Sequence, residues 1–411
     1  MKNKIICGDS LEVLKDFEDN YFDSVVTDPP YGLSFMGKSW DYDVPQVELW
    51  KEVYRVLKPG GHILSFAGSR TYHRMAVNIE DAGFEIRDML GWLYGSGFPK
   101  SHNIGKAVDK LQGNEREVVG KKIHSQKGVR VAEERTTIGA GAFGEPREGE
   151  ITKGNSEWEG WGTALKPAHE PIVMARKPFN TSVAENVLTH GTGGINIDEC
   201  RVGTGTNKEK KEYIPNDKNK VYGKNFGGGE WDKTQGRFPA NIIHDGSEEV
   251  LEIFPETKQA GNLKKSKITS GNSMFGIGGI GKRNPKITGD NGGTAARFFY
   301  CAKASKAERN MGLDDFEGKL AGVGALRDNN RKSQLRKNYH PTVKPIKLME
   351  YLVRLVTPKE GIVLEPFAGS GTTLIACKQQ GFNYIGIERE QEYCDIAEAR
   401  LKAVKVQGEI F

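Results

Sequence analysis

Short apolar runs of strand length alternate with amphipathic helical periods through the first hundred residues, a pattern that predicts βαβ units around a mostly parallel sheet. Ser24-Val25-Val26-Thr27, Gly61-His62-Ile63-Leu64-Ser65-Phe66 and Glu85 to Tyr94 read as strands. Glu48 to Leu57 and Tyr72 to Asp81 read as the helices between them, the first stopped by Lys58-Pro59-Gly60-Gly61. The alternation returns later, where Gly361-Ile362-Val363-Leu364 is a strand, Thr372 to Gln380 a helix and Asn383 to Glu388 a strand. Glu390 to Val404 reads as a helix with Ala397, Leu401 and Val404 on one face. From about Gly105 to Asn338 the pattern dissolves into Gly-, Lys- and Asn-rich sequence, with short strand candidates at Glu170 to Met174 and Arg297 to Cys301. Two halves of one sheet, residues 1–104 and 338–411, are thus predicted to flank insertions at 105–165 and 179–337, with a strand in 166–178 returning to the sheet.

A length of 411 residues allows one large α/β domain and a smaller module. No apolar run approaches the roughly 20 residues needed to span a bilayer. Met1-Lys2-Asn3-Lys4-Ile5-Ile6-Cys7 passes straight into strand-like sequence without the pattern of a signal peptide. A cytoplasmic protein without membrane association is therefore expected. The five cysteines (Cys7, Cys200, Cys301, Cys377, Cys394) form no CxxC pair and no His/Cys cluster at zinc spacing, so buried free thiols and no metal site are expected.

The formal charge of +5 is modest but unevenly placed. Between Lys258 and Lys306 ten basic residues, among them Lys264, Lys265, Lys282, Arg283 and Arg297, face the single acid Asp290. A second basic stretch from Arg327 to Lys347 is opposed only by Asp328. Such runs point to a polyanion as partner.

Two strand-to-loop junctions carry candidate chemistry, because α/β proteins bind ligands at the carboxyl edge of a parallel sheet. Asp28-Pro29-Pro30-Tyr31-Gly32 follows the strand ending at Thr27, and Glu365-Pro366-Phe367-Ala368-Gly369-Ser370-Gly371-Thr372-Thr373 follows the strand ending at Leu364. Gly369 and Gly371 permit close approach of backbone to a ligand and free N–H groups at the next helix start, although a tight turn alone would use the same glycines. In the first junction two prolines stiffen the chain and remove two donors, leaving carbonyl acceptors beside a carboxylate and an aromatic ring. That is a site suited to an amino group on a planar base: Asp28 and the Pro29 carbonyl accept its hydrogens, and Tyr31 covers its ring.

Asp28 to Tyr31 together with Phe367 to Gly371 resemble the catalytic and cofactor signatures of the DNA amino-methyltransferases, whose catalytic motif is Asp/Asn/Ser-Pro-Pro-Tyr/Phe. With the catalytic motif first and the Gly-rich motif last, the chain resembles the β-group. That likeness implies a circularly permuted Rossmann-like methyltransferase sheet with a large inserted target-recognition region at 179–337. It also implies S-adenosylmethionine as cofactor. On this likeness Asp28, Pro29, Pro30 and Tyr31 are catalytic, while Asp28, Glu365, Phe367, Gly369, Gly371, Thr372 and Thr373 hold the cofactor. Asp9 matches the acid near the cofactor's adenine, and Glu388 the carboxylate on its ribose, where a strand end supplies the acceptor that two hydroxyls need. His340, Thr342 and Lys344, within His340-Pro341-Thr342-Val343-Lys344-Pro345, match the segment around the methionine part. His169-Glu170-Pro171-Ile172 matches the lining of the target-base pocket, to which the aromatic loop residues Phe35 and Trp40 are added. The cofactor motif departs from the family in starting with Glu365 where Asp is usual.

The implied reaction is direct transfer of a sulfonium methyl group to a base nitrogen, with N6 of adenine favoured over N4 of cytosine by Asp at position 28. No Pro-Cys dipeptide occurs, which removes the thiol nucleophile of cytosine-C5 methyltransferases. Double-stranded DNA is the expected partner, with Lys264, Lys265, Lys282, Arg283 and Arg297 as candidate phosphate contacts. A homodimer and a cognate restriction endonuclease are partners that the likeness allows. An oxidoreductase would need Gly-x-Gly-x-x-Gly, yet Leu374 follows two residues after Thr372. An RNA- or protein-directed amino methyltransferase would share the chemistry without needing the basic insertion, and a non-catalytic DNA-binding protein would leave both motifs unexplained.

Overall fold

The computed structural model describes residues 2–33, 41–97, 101–124, 147–203, 236–257, 293–302, 308–320, 335–340 and 342–404. Phe35, Trp40, Lys264, Lys265, Lys282 and Arg283 lie outside the described residues. The chain divides into two compact units, one of residues 1–95 with 169–411 and one of residues 96–168.

In the larger unit β1 (Lys4–Cys7) and α1 (Ser10–Leu14) lead into β2 (Phe22–Thr27), α2 (Val47–Val56), β3 (Leu57–Phe66), α3 (Tyr72–Asp81) and β4 (Glu85–Leu93). The smaller unit holds α4 (Ile104–Gln112) and the antiparallel pair β5 (Glu117–His124) and β6 (Arg147–Lys153). Asn103 caps α4 by accepting from the Lys106 N–H, and Gly113 ends it at φ 71°. Its Arg116 pairs with the buried Asp109 and, at 2.9 Å, with Glu159.

The larger unit continues with β7 (His169–Arg176), α5 (Val183–His190), β8 (Ile242–His244) and α6 (Glu248–Leu251). Two short ladders follow, β9 (Glu256–Thr257) with β10 (Gly293–Thr294), and, after β11 (Tyr300–Cys301), β12 (Lys319–Leu320) with β13 (Leu335–Arg336). The unit closes with α7 (Ile346–Val356), β14 (Ile362–Glu365), α8 (Thr372–Gln380), β15 (Asn383–Glu388) and α9 (Gln391–Ala403).

One nine-stranded sheet runs β1-β15-β14-β2-β3-β7-β4-β8-β11. Every pair is parallel except those of β7, which is antiparallel to both β3 and β4. At its centre β14 pairs with β2, Val363 beside Ser24 and Leu364 beside Val25, so segments remote in sequence form adjacent strands whose carboxyl ends share one edge. The antiparallel β7 brings its amino end, His169 and Glu170, to that same edge. All six residues of β2 are buried, as expected of a central strand covered on both faces. Successive residues point to opposite faces. Val25, Ile63, Leu364 and Val173 pack with α1 to α3 through Leu14, Trp50, Val53 and Met75. Val26, Leu64, Val363 and Ile172 pack with α7 and α8 through Leu352, Val356, Leu374 and Ile375.

Three differences from the sequence reading have local causes. Lys58-Pro59-Gly60-Gly61 ends the helix, but the backbone continues directly into β3, with Gly60 at φ 80° and Leu57 already paired with Phe22. Arg297 to Cys301 is not a continuous strand, since residues 295–298 form a 3-10 turn capped by Thr294 and only Tyr300 and Cys301 pair with β8. The same two short strands extend the sheet edge and bury Ile243 and Ala302 in its core, although the surrounding sequence carries no strand periodicity. Cys200, Cys377 and Cys394 are buried free thiols, whereas Cys7 is exposed and Cys301 half-buried. Among the described residues no helix is long and apolar enough to cross a membrane.

Candidate active site

The β2 corner is held from several sides. The Tyr31 N–H and Gly32 N–H donate to Asp41 Oδ1 at 2.7 and 3.0 Å, and the Leu33 N–H to Oδ2 at 3.3 Å. The Thr71 hydroxyl donates to the Tyr31 carbonyl at 2.6 Å. Asp28 Oδ1 accepts from the Tyr31 hydroxyl and from Lys344 Nζ, both at 2.7 Å. The Lys344 ammonium also lies 3.2 Å from Glu170 Oε2 and 4.8 Å from the centre of the Phe66 ring. Burial alone would lower the lysine's pKa, but the facing Asp28 and Glu170 carboxylates outweigh it and the net direction is up. Burial, then the charge of Asp28, pushes the Tyr31 phenol well above its ordinary value. The phenol is a hydrogen-bond donor here and carries no anion.

The β14 corner turns on Glu365, which is 1 % exposed. Its carboxyl accepts from the Thr27 hydroxyl, from the Thr373 hydroxyl at 2.6 Å and from the Phe367 N–H at 3.1 Å. The Thr27 contact ties the two corners together directly. Burial raises the Glu365 pKa to about 8, against the pull of the Thr27 and Thr373 hydrogen bonds. A group whose folded value lies above its ordinary 4.5 adds stability below the ordinary value, and that contribution drains away as pH rises through about 8. Glu365→Gln is therefore expected to flatten the fall in melting temperature between pH 6 and pH 9, measured by calorimetry on both proteins. Parallel curves would exclude a protonated Glu365.

The following turn has Gly369 at φ 50° and Gly371 at φ 78°. A Cβ on Gly369 would come within 2.8 Å of His340 Nε2, so only glycine lets the His340 ring pack this closely on the turn. The Gly369 N–H donates to Glu388 Oε2 at 2.8 Å, and the Glu390 N–H to Oε1 at 2.8 Å. Each oxygen of Glu388 thus retains a lone pair for a further donor. Arg400, fully buried on α9, donates to the Ser370 carbonyl, to Ser370 Oγ at 3.0 Å and to Thr372 Oγ1 at 3.3 Å, which fixes the turn from behind. His340 packs edge-on against Tyr393. Its Nδ1 lies 3.1 Å from the Thr342 carbonyl, which can only accept, so the proton sits on Nδ1 and Nε2 is bare. Burial lowers its pKa to about 4, leaving the ring neutral.

Asp28, His340, Thr342, Lys344, Glu365, Phe367, Gly369, Thr372 and Thr373 line one open cleft, together with Met349, Ala368 and Ser370. Pro29, Pro30 and Tyr31 continue from Asp28, with Glu170 3.3 Å from the Tyr31 hydroxyl. Gly371 and Glu388 support the turn without lining the cleft. Asp9 is exposed and caps α1 through the Leu11 N–H at 3.0 Å, two residues beyond Cys7, the β1 partner of Glu388. His169 packs against Gly91 on β4. Arg297 is spent on the Thr294 carbonyl and Thr257 hydroxyl, each at 2.6 Å, with its guanidinium over Phe298.

Sequence reasoning missed Thr27, Asp41, Phe66, Thr71, Tyr94 and Arg400. Arg400 had a signal, a basic residue three positions after Ala397 on the apolar stripe of its helix. The others carry no local pattern.

A family described as DNA methylase, of the N6/N4 type, matches residues 22–399. The chain is similar to the Type II methyltransferase M.HindIII of Haemophilus influenzae, 23 % identical over 96 % of this chain and 93 % of the relative. A 74-residue stretch is 45 % identical to the Type II methyltransferase M.HinfI of Haemophilus influenzae, covering 18 % of this chain and 21 % of that protein. Among solved structures, the M1.HpyAVI–SAM complex aligns over 97 % of this chain and 98 % of its own, with 17 % identity and a TM-score of 0.38.

Proposed function

The chain belongs to the N6/N4 DNA methylase family, and from that premise we propose that it transfers a methyl group from S-adenosylmethionine to N6 of a flipped adenine in duplex DNA. The observation that carries the reading is the shared cleft, in which Asp28 and the Gly369 to Thr373 turn face one space. The residues fit the cofactor in one respect: the spare lone pairs of Glu388 suit two ribose hydroxyls. Asp28 gives the cleft a carboxylate, which the Lys344 ammonium pairs in this structure, and neutral His340 adds no further positive charge. When bound, the cofactor supplies an electrophilic methyl carbon.

The chain's own part is positioning. Asp28 and the Pro29 carbonyl accept the hydrogens of the amino group, which localises the nitrogen lone pair and aims it out of the ring plane. Tyr31, anchored by Asp41 and Thr71, offers its ring as a stacking surface for the extruded base. Residues 179–337 are proposed as the target-recognition region, whose basic run from Lys258 to Lys306 suits phosphate contacts. The Type II designation of the M.HindIII relative extends the proposal to a restriction–modification pair.

Nucleoside mass spectrometry of DNA treated with the purified protein and S-adenosylmethionine is expected to find N6-methyladenine. N4-methylcytosine alone would overturn the adenine assignment, and no methylated base would overturn the function.

A further inference from the structure

Two donors at the active centre lie between the same two carboxylates. Lys344 Nζ is 2.7 Å from Asp28 Oδ1 and 3.2 Å from Glu170 Oε2, and the Tyr31 hydroxyl is 2.7 Å and 3.3 Å from the same atoms. Both are therefore drawn toward Asp28, the group on which the target amino group must dock. Two positive or donor groups on the docking oxygen oppose catalysis, since the amino nitrogen itself becomes positive as the methyl group arrives. A site with one carboxylate would have to expel a buried ammonium to make room. Here the second carboxylate stands within reach on β7, placed there because that strand alone runs antiparallel. Burial, then the charge of Glu170, raises the pKa of the neighbouring Tyr94 phenol, which stays protonated beside it.

We propose that Glu170 is a positioning residue that takes over the Lys344 ammonium and the Tyr31 hydroxyl when the target amino group binds Asp28, so that neither donor is left unpaired. The exchange moves no covalent bond: each donor gives up one acceptor oxygen and gains the other. The inference rests on methyl transfer at an amino group, and deepens it by assigning the second carboxylate of the same site.

The test is single-turnover methyl transfer at saturating cofactor and DNA, with cofactor affinity measured separately by calorimetry. Glu170→Gln keeps an acceptor but loses the charge that holds the ammonium, so its rate is expected to fall about 10- to 100-fold, the difference made by one charged hydrogen-bond partner. Cofactor affinity is expected to stay within about twofold of wild type, well below the tenfold that one such interaction represents. Glu170→Asp, which keeps the charge, should recover part of the rate. Adding Lys344→Met to Glu170→Gln should raise the rate above that of Glu170→Gln alone, because the obstructing ammonium is gone. A Glu170→Gln rate equal to wild type, a parallel loss of cofactor affinity, or a double variant slower than Glu170→Gln would each overturn the inference. A wild-type protein that transfers no methyl group would instead overturn the parent reading.

Discussion

Asp28→Ala is expected to lower methyl transfer by about a thousandfold, at the upper end of what removing one preorganised polar group costs. The alanine removes the acceptor that would orient the amino nitrogen, while Lys344 keeps Glu170 as its counter-ion and the fold loses little. The Glu388 and Gly369 contacts are untouched, so cofactor affinity measured by calorimetry should change far less than the rate. A variant that retains a tenth or more of the wild-type single-turnover rate would show that the chemistry does not run through this carboxylate.

Lys344→Met is expected to act on stability first. The side chain is 8 % exposed and its ammonium separates two carboxylates, so an apolar replacement of similar length leaves like charges facing one another in a poorly solvated space. Breaking a buried pair by deleting one partner costs about 3–5 kcal/mol. The deficit should shrink when Glu170→Gln is added, because one of the two facing charges is then gone. Denaturant midpoints of wild type, Lys344→Met and the double variant measure this, and an equal deficit with and without Glu170→Gln would mean that packing, and not charge, is what the lysine contributes.

Much of the fold was legible because its core strands obey simple periods. Val25 and Val26 serve opposite faces, as do Ile63 and Leu64, and α3, α8 and β15 have the bounds that their patterns predict. Short β8 was not legible and β11 was read only as the end of a longer candidate, Arg297 to Cys301: three and two residues are too few to show a period, and their pairing depends on the edge that β4 offers. At the site, each junction could be recognised because a carboxylate and an unusual turn follow an apolar run. Their adjacency is a property of the β14–β2 pairing, and the hydrogen bond between Thr27 and Glu365 spans 338 positions. Lys344 illustrates the limit most clearly. It lines the cleft, and its ammonium also lies on Asp28 and against Glu170, residues at the ends of strands whose adjacency no local pattern reveals.

The central position of β14 also shapes how the chain is made. Synthesis runs from residue 1 upward, and β2 waits through more than three hundred residues for the strand that covers its open side. Until then the nascent protein exposes a row of unpaired peptide groups on a strand whose six residues are all buried in the finished fold, the kind of edge that invites pairing with another chain. The half-built molecule is therefore a natural client for chaperones. The two corners of the candidate site, moreover, do not coexist until translation has passed β14.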